Sequence, residues 1–269
     1  MRILALILGL ITAPAAAHEF WIEPIAYQIA PDRTLEAHLV NGQEFAGTRI
    51  AYFPGRFVNF VLFSGEEAAR VQGRPGDTPA LNQAPLNEGL HIAAYQSRNE
   101  TVGYETWEKF QTFVDHKDFG DVLSLHQARG LPEADFEEVY GRYVKTLIGV
   151  GHSAGADRRV GLETEIVALN NPYTDDLSDG FSVQVHYRNQ LRADTQVEVF
   201  SKAPDYSVTI ALYRTNAEGI ATFPVEPGHE YMVDAVVLRE PSAELASETG
   251  AVWQSLWANL TFAVPDRGN

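Results

Sequence analysis

Short runs in which apolar and polar residues alternate, each bounded by turn residues, recur along most of this chain and restrict its fold. In the run FSVQVHY, the residues Phe181, Val183, Val185 and Tyr187 occupy every second position. A period of two is that of a β-strand with one buried face. We therefore expect these four side chains to face a core, and His186, on the opposite face, to be exposed.

Other runs of this kind lie before and after it. Residues 34–39 (TLEAHL), 57–63 (FVNFVLF) and 258–264 (ANLTFAV) are rich in strand-forming residues, and residues 216–219 (NAEG) form a turn signal between two further runs. Residues 73–89 are rich in Gly, Pro and Asn and predict a long loop. Several short strands at this spacing predict a β-sandwich.

In the middle of the chain the apolar period changes. Trp107, Phe110 and Val114 fit one face of a helix. A second set, at spacings of three and four, predicts another amphipathic helix, on which Arg142 and Lys145 would share a side. There they would either pair with carboxylates between domains or remain solvated surface charges. The second set consists of Phe136, Val139, Tyr140, Tyr143, Val144, Leu147 and Ile148.

These patterns predict a mainly β chain with a helical segment and two β-sandwich-like domains. We expect an N-terminal β domain over residues 18–103, a helical bridge or insert over residues 104–160 and a C-terminal β-sandwich over residues 161–265.

The first 17 residues, MRILALILGLITAPAAA, have the pattern of a secretory signal peptide. Arg2 gives a positive start, an apolar run follows, and Ala15 and Ala17 are the small residues that a signal peptidase accepts. Cleavage after Ala17 would make His18 the first residue of an exported, periplasmic protein. The apolar run is too short to span a bilayer and no later segment is a candidate, so no membrane span is expected after cleavage.

The composition of the chain bears on nucleic-acid binding and on disulfide bonds. With 20 basic and 36 acidic residues, the chain has a formal net charge of −16, which argues against nucleic acid as a partner. It has no cysteine, so an oxidising compartment would give it no disulfide bond.

A histidine freed at an N-terminus offers two nitrogen donors. The α-amine and the imidazole of His18 could chelate one divalent transition metal ion, Ni(II), Co(II) or Cu(II). His38, in the next predicted strand, is the best candidate for a third nitrogen. Alternatively, His38 is an ordinary strand residue, and His18 only marks the cleavage point.

A pentapeptide at residues 151–155, GHSAG, matches the nucleophile motif of α/β-hydrolases. The corresponding chemistry would use Ser153 as nucleophile and His186 or His229 as base. That motif needs a helix directly after it, and the charged sequence ADRRVG does not predict one. We expect a loop here and keep an esterase as an alternative.

Six segments together resemble a known family. They are HEFWIEP at 18–24, NGQEFAG at 41–47, YGRYVKTLIGVG at 140–151, GLETEIVALNNPY at 161–173, TNAEGIATF at 215–223 and WQSLWANLTF at 253–262. The chain resembles the bacterial exported family known as domain of unknown function 4198, some of whose members are described as periplasmic components of nickel or cobalt transport.

The resemblance implies an exported β-rich protein whose C-terminal sandwich is similar to carboxypeptidase-regulatory or transthyretin-like modules. It implies an association with divalent-metal uptake and carries over no catalytic residue. Two main hypotheses follow. One is a metal-binding accessory protein of an envelope metal-uptake system, with His18 and His38 as ligands. The other is a binding or structural module without metal, which exposed aromatic clusters without converging histidines would favour.

Overall fold

The computed structural model of the chain describes residues 18–266. The predicted signal peptide, residues 1–17, lies outside the described residues. The described strands are β1 (Glu19–Pro24), β2 (Gln28–Ile29), β3 (Leu35–Gln43), β4 (Ala46–Ile50), β5 (Phe57–Ser64), β6 (Glu67–Arg70), β7 (Leu81–Gln83), β8 (Gly89–Ser97), β9 (Glu100–Tyr104), β10 (Phe136–Val150), β11 (Thr164–Ala168), β12 (Phe181–Tyr187), β13 (Gln190–Leu191), β14 (Gln196–Lys202), β15 (Val208–Arg214), β16 (Ile220–Phe223), β17 (Glu230–Arg239) and β18 (Trp253–Ala263). The helices are α1 (Trp107–His116), α2 (Val122–Ala128) and α3 (Ala243–Thr249).

The strands form three sheets. The large sheet has ten strands, in the order β15-β14-β17-β18-β10-β8-β5-β6, with β2 and β9 also paired to β10. The N-terminal sheet has four strands, β1-β3-β4 with β7 beside β3, and the C-terminal sheet has four, β11-β12-β13 with β16 beside β12. The mainly β fold class is confirmed.

The two smaller sheets cover opposite sides of the large sheet. Val144 and Ile148 of β10 pack in a core with Leu39 of the N-terminal sheet. Leu147 packs in a separate core with Val183 of the C-terminal sheet. Because residues an odd number apart on a strand face opposite sides, β10 is enclosed from both directions.

Among the described residues, β10 is the one element that pairs both with N-terminal strands, β2, β8 and β9, and with the C-terminal strand β18. It pairs in parallel with β18 over residues 138–146 and antiparallel with β8 over residues 147–150. The large sheet thus runs from the N-terminal part of the chain into the C-terminal part without a break. The proposed domain boundaries near residues 103 and 161 stay a prediction.

The helix predicted over residues 136–148 is wrong, because those residues form β10. The misreading has a physical cause. A strand buried on both faces shows no period of two, and its apolar residues happen to fall at spacings of three and four. Its β-branched and aromatic residues, such as Val139, Tyr143 and Val144, favour a strand.

Other predicted elements are confirmed. The helix predicted around Trp107, Phe110 and Val114 is α1, whose apolar face packs on Trp257 and its neighbours. Predicted strands correspond to β3, β5, β12 and β18, and the turn at residues 216–219 joins β15 to β16. The predicted loop 73–89 contains the short strand β7. Similarity of the C-terminal sandwich to carboxypeptidase-regulatory modules stays a prediction. None of the helices within residues 18–266 has the length and apolar character needed to cross a membrane.

Candidate functional site

The chain enters the fold beside a cleft. His18 is exposed and directly precedes β1, and its carbonyl oxygen accepts a 2.5 Å hydrogen bond from Arg142 Nη2 on β10. His18 also borders the cleft, which has a volume of about 310 Å³. The residue predicted to begin the mature chain is therefore anchored at a concave surface.

Aromatic side chains form much of the cleft wall. Tyr104 at the end of β9, Phe113 on α1, Tyr140 on β10 and Trp257 on β18 all line it. A smaller hollow of about 100 Å³ adjoins it and shares Tyr140 with it. A mostly apolar concave surface with a few polar groups is the usual form of a small-molecule site.

Strand alternation places the polar groups. Glu138, Tyr140 and Arg142 occupy every second position of β10, so all three face the cleft side of the sheet. Asn41 on β3 borders both hollows from the N-terminal sheet. The cleft thus lies where β10, β18, α1 and the N-terminal sheet meet.

Arg142 is 7% exposed and lies over two aromatic rings. Its guanidinium carbon is 4.9 Å from the ring centre of Tyr140 and 4.5 Å from that of Trp257. Such cation–π contacts partly replace lost hydration. Nη1 nevertheless has no hydrogen-bond partner among the described residues. Burial lowers the pKa of Arg142 from its usual value.

Glu138 forms a buried polar centre in the same cleft. Tyr104 donates a 2.9 Å hydrogen bond to its carboxylate, and the Ser255 hydroxyl donates another. Trp257 Nε1 in turn donates to the Ser255 oxygen at 2.8 Å. Burial raises the pKa of Glu138 to about 7, despite these two hydrogen bonds, which lower it. The carboxyl group can therefore gain or lose a proton near neutral pH.

A second charged cluster lies behind Trp257. The ammonium of Lys117 is 4.9 Å from the Trp257 ring centre and pairs with Glu198 and, at 3.2 Å, with Asp234. The side chains of all three charged residues are at most 5% exposed. Glu19, the first residue of β1, is also buried, and desolvation together with the charge of Asp234 raises its pKa to about 7.

The structure does not bring His38 to His18. In the antiparallel pairing of β1 with β3, His38 lies opposite Glu23, while Glu19 lies opposite Gly42. Five residues of strand, about 17 Å, therefore separate His18 from the position facing His38. His38 is buried, and its Nδ1 atom has no hydrogen-bond partner among the described residues. Burial lowers the pKa of His38.

No group of three or more His, Cys, Asp or Glu side chains within residues 18–266 is placed to hold a metal ion. His18 alone can supply two nitrogens, its imidazole and the α-amine that cleavage after Ala17 would free. A transition metal usually takes four or more ligands, so water or a second molecule would have to supply the others. Ligation by His18 stays a prediction, and the pairing with His38 has no support from the strand register.

Ser153 of the GHSAG segment is enclosed. It is 2% exposed, and its Oγ atom lies 3.4 Å from both Gln28 Nε2 and the carbonyl oxygen of Gly151. The candidate bases have other partners, since His186 contacts Gln184 and His229 contacts Ser201.

Two sequence-based expectations about this region had different outcomes. A loop follows the motif as predicted, since residues 151–163 contain neither helix nor strand. His186 was expected to be exposed by strand alternation, and this is wrong, because it is only 8% exposed.

Sequence reasoning missed most of the cleft. With residues 136–148 read as a helix, Glu138 and Arg142 did not share a face with Tyr140. The available signal was a carboxylate and a guanidinium inside a long apolar run, because charged residues are seldom buried without a partner or a function.

A protein-family model matches most of the chain. The model of a family described as Domain of unknown function (DUF4198) matches residues 15–239. The matched segment includes β1, β9, α1 and β10, and it ends before Trp257 on β18. No curated protein matches the chain.

Proposed function

The chain belongs to the DUF4198 family, whose description names no activity, and we propose that it is an exported binding module that takes a small anionic, ring-containing molecule in the cleft beside His18. The main support is the cleft itself, about 310 Å³ in volume, which is lined by four aromatic side chains and by the buried cation Arg142. A cleft of that size holds a small organic molecule.

Charge and hydrogen bonding favour an anion. Arg142 and Lys109 border the cleft, and an exposed His18 stands at its edge. Arg142 Nη1 lacks an acceptor, and a buried donor without an acceptor costs about 1–3 kcal/mol. A carboxylate or sulfonate that reaches this atom after a small side-chain shift would supply the acceptor. The aromatic walls would contact the apolar body of such a ligand.

The test uses 8-anilinonaphthalene-1-sulfonate, an aromatic anion with environment-dependent fluorescence. We expect saturable binding to the folded chain that benzoate and naphthoate displace. Arg142→Lys keeps the charge but loses the planar donor pair, so it is expected to weaken binding about tenfold. Arg74→Lys, at an exposed site outside the cleft, is the matched control. Equal affinity for both variants would reject the cleft as the binding site.

A second candidate function is divalent-metal binding at His18, with nickel, cobalt or copper as the ion and an envelope metal-uptake system as partner. It is favoured by the exposure of His18 at the cleft edge and by the α-amine that cleavage after Ala17 would free. His18 gives an incomplete ligand set, so an anion in the cleft would complete the coordination.

The metal hypothesis needs the correct N-terminus. Intact-mass measurement first establishes that His18 begins the mature chain. Titration with Ni(II), Co(II) and Cu(II) then compares that chain with His18→Ala and His38→Ala. We expect only His18→Ala to lose binding. Unchanged binding after His18→Ala would remove this candidate function.

A further inference from the structure

A buried lysine lies on the side of β10 that faces away from the cleft. Lys145 is 1% exposed, and its Nζ atom is 2.8 Å and 3.0 Å from the two carboxyl oxygens of Asp157. Glu165 Oε1 is 3.2 Å from the same nitrogen. Both acidic side chains are 0% exposed. An amine nitrogen and a carboxyl group are thus held in contact away from water.

The Asp157 carboxyl group also receives backbone donors on both oxygens. The backbone N–H of Arg158 donates to Oδ1 at 2.8 Å, and that of Ala168 donates to Oδ2 at 2.8 Å. When a nucleophile adds to a carboxyl carbon, negative charge collects on these oxygens. Two fixed N–H groups directed at them stabilise that charge, as the donors of an oxyanion hole do.

Glu165 is arranged as a proton carrier. Its Oε1 atom accepts from Lys145 Nζ and, at 2.7 Å, from the backbone N–H of Val160. Its Oε2 atom is buried without a hydrogen-bond partner among the described residues, and Arg159 Nε lies 3.8 Å away, beyond hydrogen-bond distance. Oε1, which contacts Lys145 Nζ at 3.2 Å, is the oxygen placed to take a proton from that nitrogen.

We propose that Lys145 and Asp157 join in an intramolecular amide bond, with Glu165 carrying the proton. Glu165 takes a proton from Nζ, and the nitrogen lone pair forms a bond to Asp157 Cγ. Glu165 returns a proton to one Asp157 oxygen, the C–O bond breaks, and the second proton of the nitrogen completes the departing water. One C–N bond forms, one water leaves, and no oxidant or second reactant is required.

Lys117 provides a contrast within the same chain. It is also buried and paired with two carboxylates, Glu198 and Asp234. No backbone N–H donates to either of those carboxylates among the hydrogen bonds of the described residues, and the Lys117 ammonium lies against the Trp257 ring. The Lys117 cluster therefore lacks the backbone donors that the Lys145 cluster has, and Lys117 serves as an internal control.

The bond would close a ring over residues 145–157, which include the GHSAG segment with its buried Ser153. A chain with no cysteine has no disulfide bond to fix such a connection. The amide bond would hold the segment between β10 and β11 against β10, independently of ligand binding in the cleft.

Peptide mapping of the full mature chain tests the proposal. Trypsin cleaves after Lys and Arg, so an unlinked chain gives the separate peptides 143–145 and 146–158. A linked chain gives one peptide, 143–158, lighter by one water molecule than its sequence predicts and uncut at Lys145. In tandem mass spectrometry, fragment ions should come only from backbone bonds outside the ring, because one break inside the ring does not separate the peptide into two pieces. Cleavage after Lys117 in the same digest shows that buried lysines become accessible.

Two variants complete the test. Glu165→Gln nearly keeps the shape but removes the proton acceptor, and Lys145→Arg keeps the charge but cannot form this amide. We expect both to give full-mass, unlinked chains, while a wild-type chain lacks one water. A full-mass wild-type chain overturns the proposal. So does a water loss confined to peptide 146–158, which would indicate cyclisation of Asp157 on its own backbone. Linkage that persists in Glu165→Gln would reject the role of Glu165.

Discussion

Arg142 and Lys145 lie three residues apart on β10 and face opposite sides of the large sheet. Arg142 borders the cleft, whereas Lys145 is enclosed with Asp157 and Glu165. On the helix predicted from the sequence they would have shared one side. The strand separates them into two sites with different chemistry, one open to ligands and one closed to water.

The protonation of Glu138 predicts a pH dependence of stability. Burial raises its pKa from 4.5 to about 7, so in this range the folded chain binds more protons than the unfolded chain. Its contribution to the unfolding free energy therefore falls as pH rises from 4.5 to about 7, by about 3 kcal/mol in all.

Glu138→Gln should remove that dependence, because the amide does not ionise. Urea unfolding at several pH values measures the slope for the wild type, for Glu138→Gln and for the exposed control Glu66→Gln. We expect Glu138→Gln, but not Glu66→Gln, to reduce the slope, and the remaining slope to include the contribution of Glu19, whose pKa burial also raises to about 7. If its slope matches that of Glu66→Gln, Glu138 does not titrate in this range.

Lys117 is expected to be required for stability. Lys117→Met leaves Glu198 and Asp234 buried without their cation, which costs about 3–5 kcal/mol. Lys109 pairs with the exposed Glu105, so Lys109→Met should cost less than about 1 kcal/mol. Chemical denaturation compares the two. A similar cost for both variants would mean that the buried cluster contributes no more than a surface pair.

The C-terminal sandwich depends on an aromatic stack between its two sheets. The ring centres of Phe181 on β12 and Phe262 on β18 are 4.0 Å apart, and both side chains are 0% exposed. Phe262→Ala should lower the unfolding free energy by about 3–5 kcal/mol through lost burial and a cavity. Tyr206→Ala, at a residue that is 82% exposed, should change it by less than about 0.5 kcal/mol. Equal losses of unfolding free energy in the two variants would contradict the buried contact between Phe181 and Phe262.

The two candidate functions can be separated at the N-terminus. One extra residue before His18 replaces the α-amine with an amide, which removes one nitrogen donor. We expect it to weaken Ni(II) and Cu(II) binding while leaving 8-anilinonaphthalene-1-sulfonate binding within about twofold. Isothermal titration measures both affinities. If the extra residue also weakened binding of the aromatic anion, both ligands would depend on the same N-terminal group.

The enclosed position of Ser153 predicts its reactivity. Because Oγ is buried and no imidazole within residues 18–266 is hydrogen-bonded to it, a fluorophosphonate probe should not label the folded chain. Mass spectrometry after labelling checks this, with Ser153→Ala as the control. Labelling that Ser153→Ala abolishes would restore the esterase hypothesis.

Elements with one-sided burial were the most direct to predict, whereas β18, which is buried on both faces, was predicted from its strand-forming residues. The alternation in Phe181–Tyr187 and the helical face of Trp107 and Phe110 report directly which side meets a core. β10 has no exposed face, so its pattern carries no strand period, and the face shared by Glu138 and Arg142 could not be read from it.

The position of His38 could not be predicted either. His38 lies opposite Glu23 because of the register in which β1 pairs with β3. A shift of that register by a few residues would move His38 along β1 without changing the local preference of either segment for a strand. The leader motif, by contrast, depends only on local composition, and it led to the one residue, His18, that was predicted as a site and borders the cleft.

The sharing of β10 has a consequence for how the molecule comes apart. Detaching the N-terminal strands would expose one long edge of β10, and detaching β18 would expose the other. Neither half can melt while the other keeps a complete sheet, so heating should give a single calorimetric transition and brief protease treatment should leave no stable half-molecule.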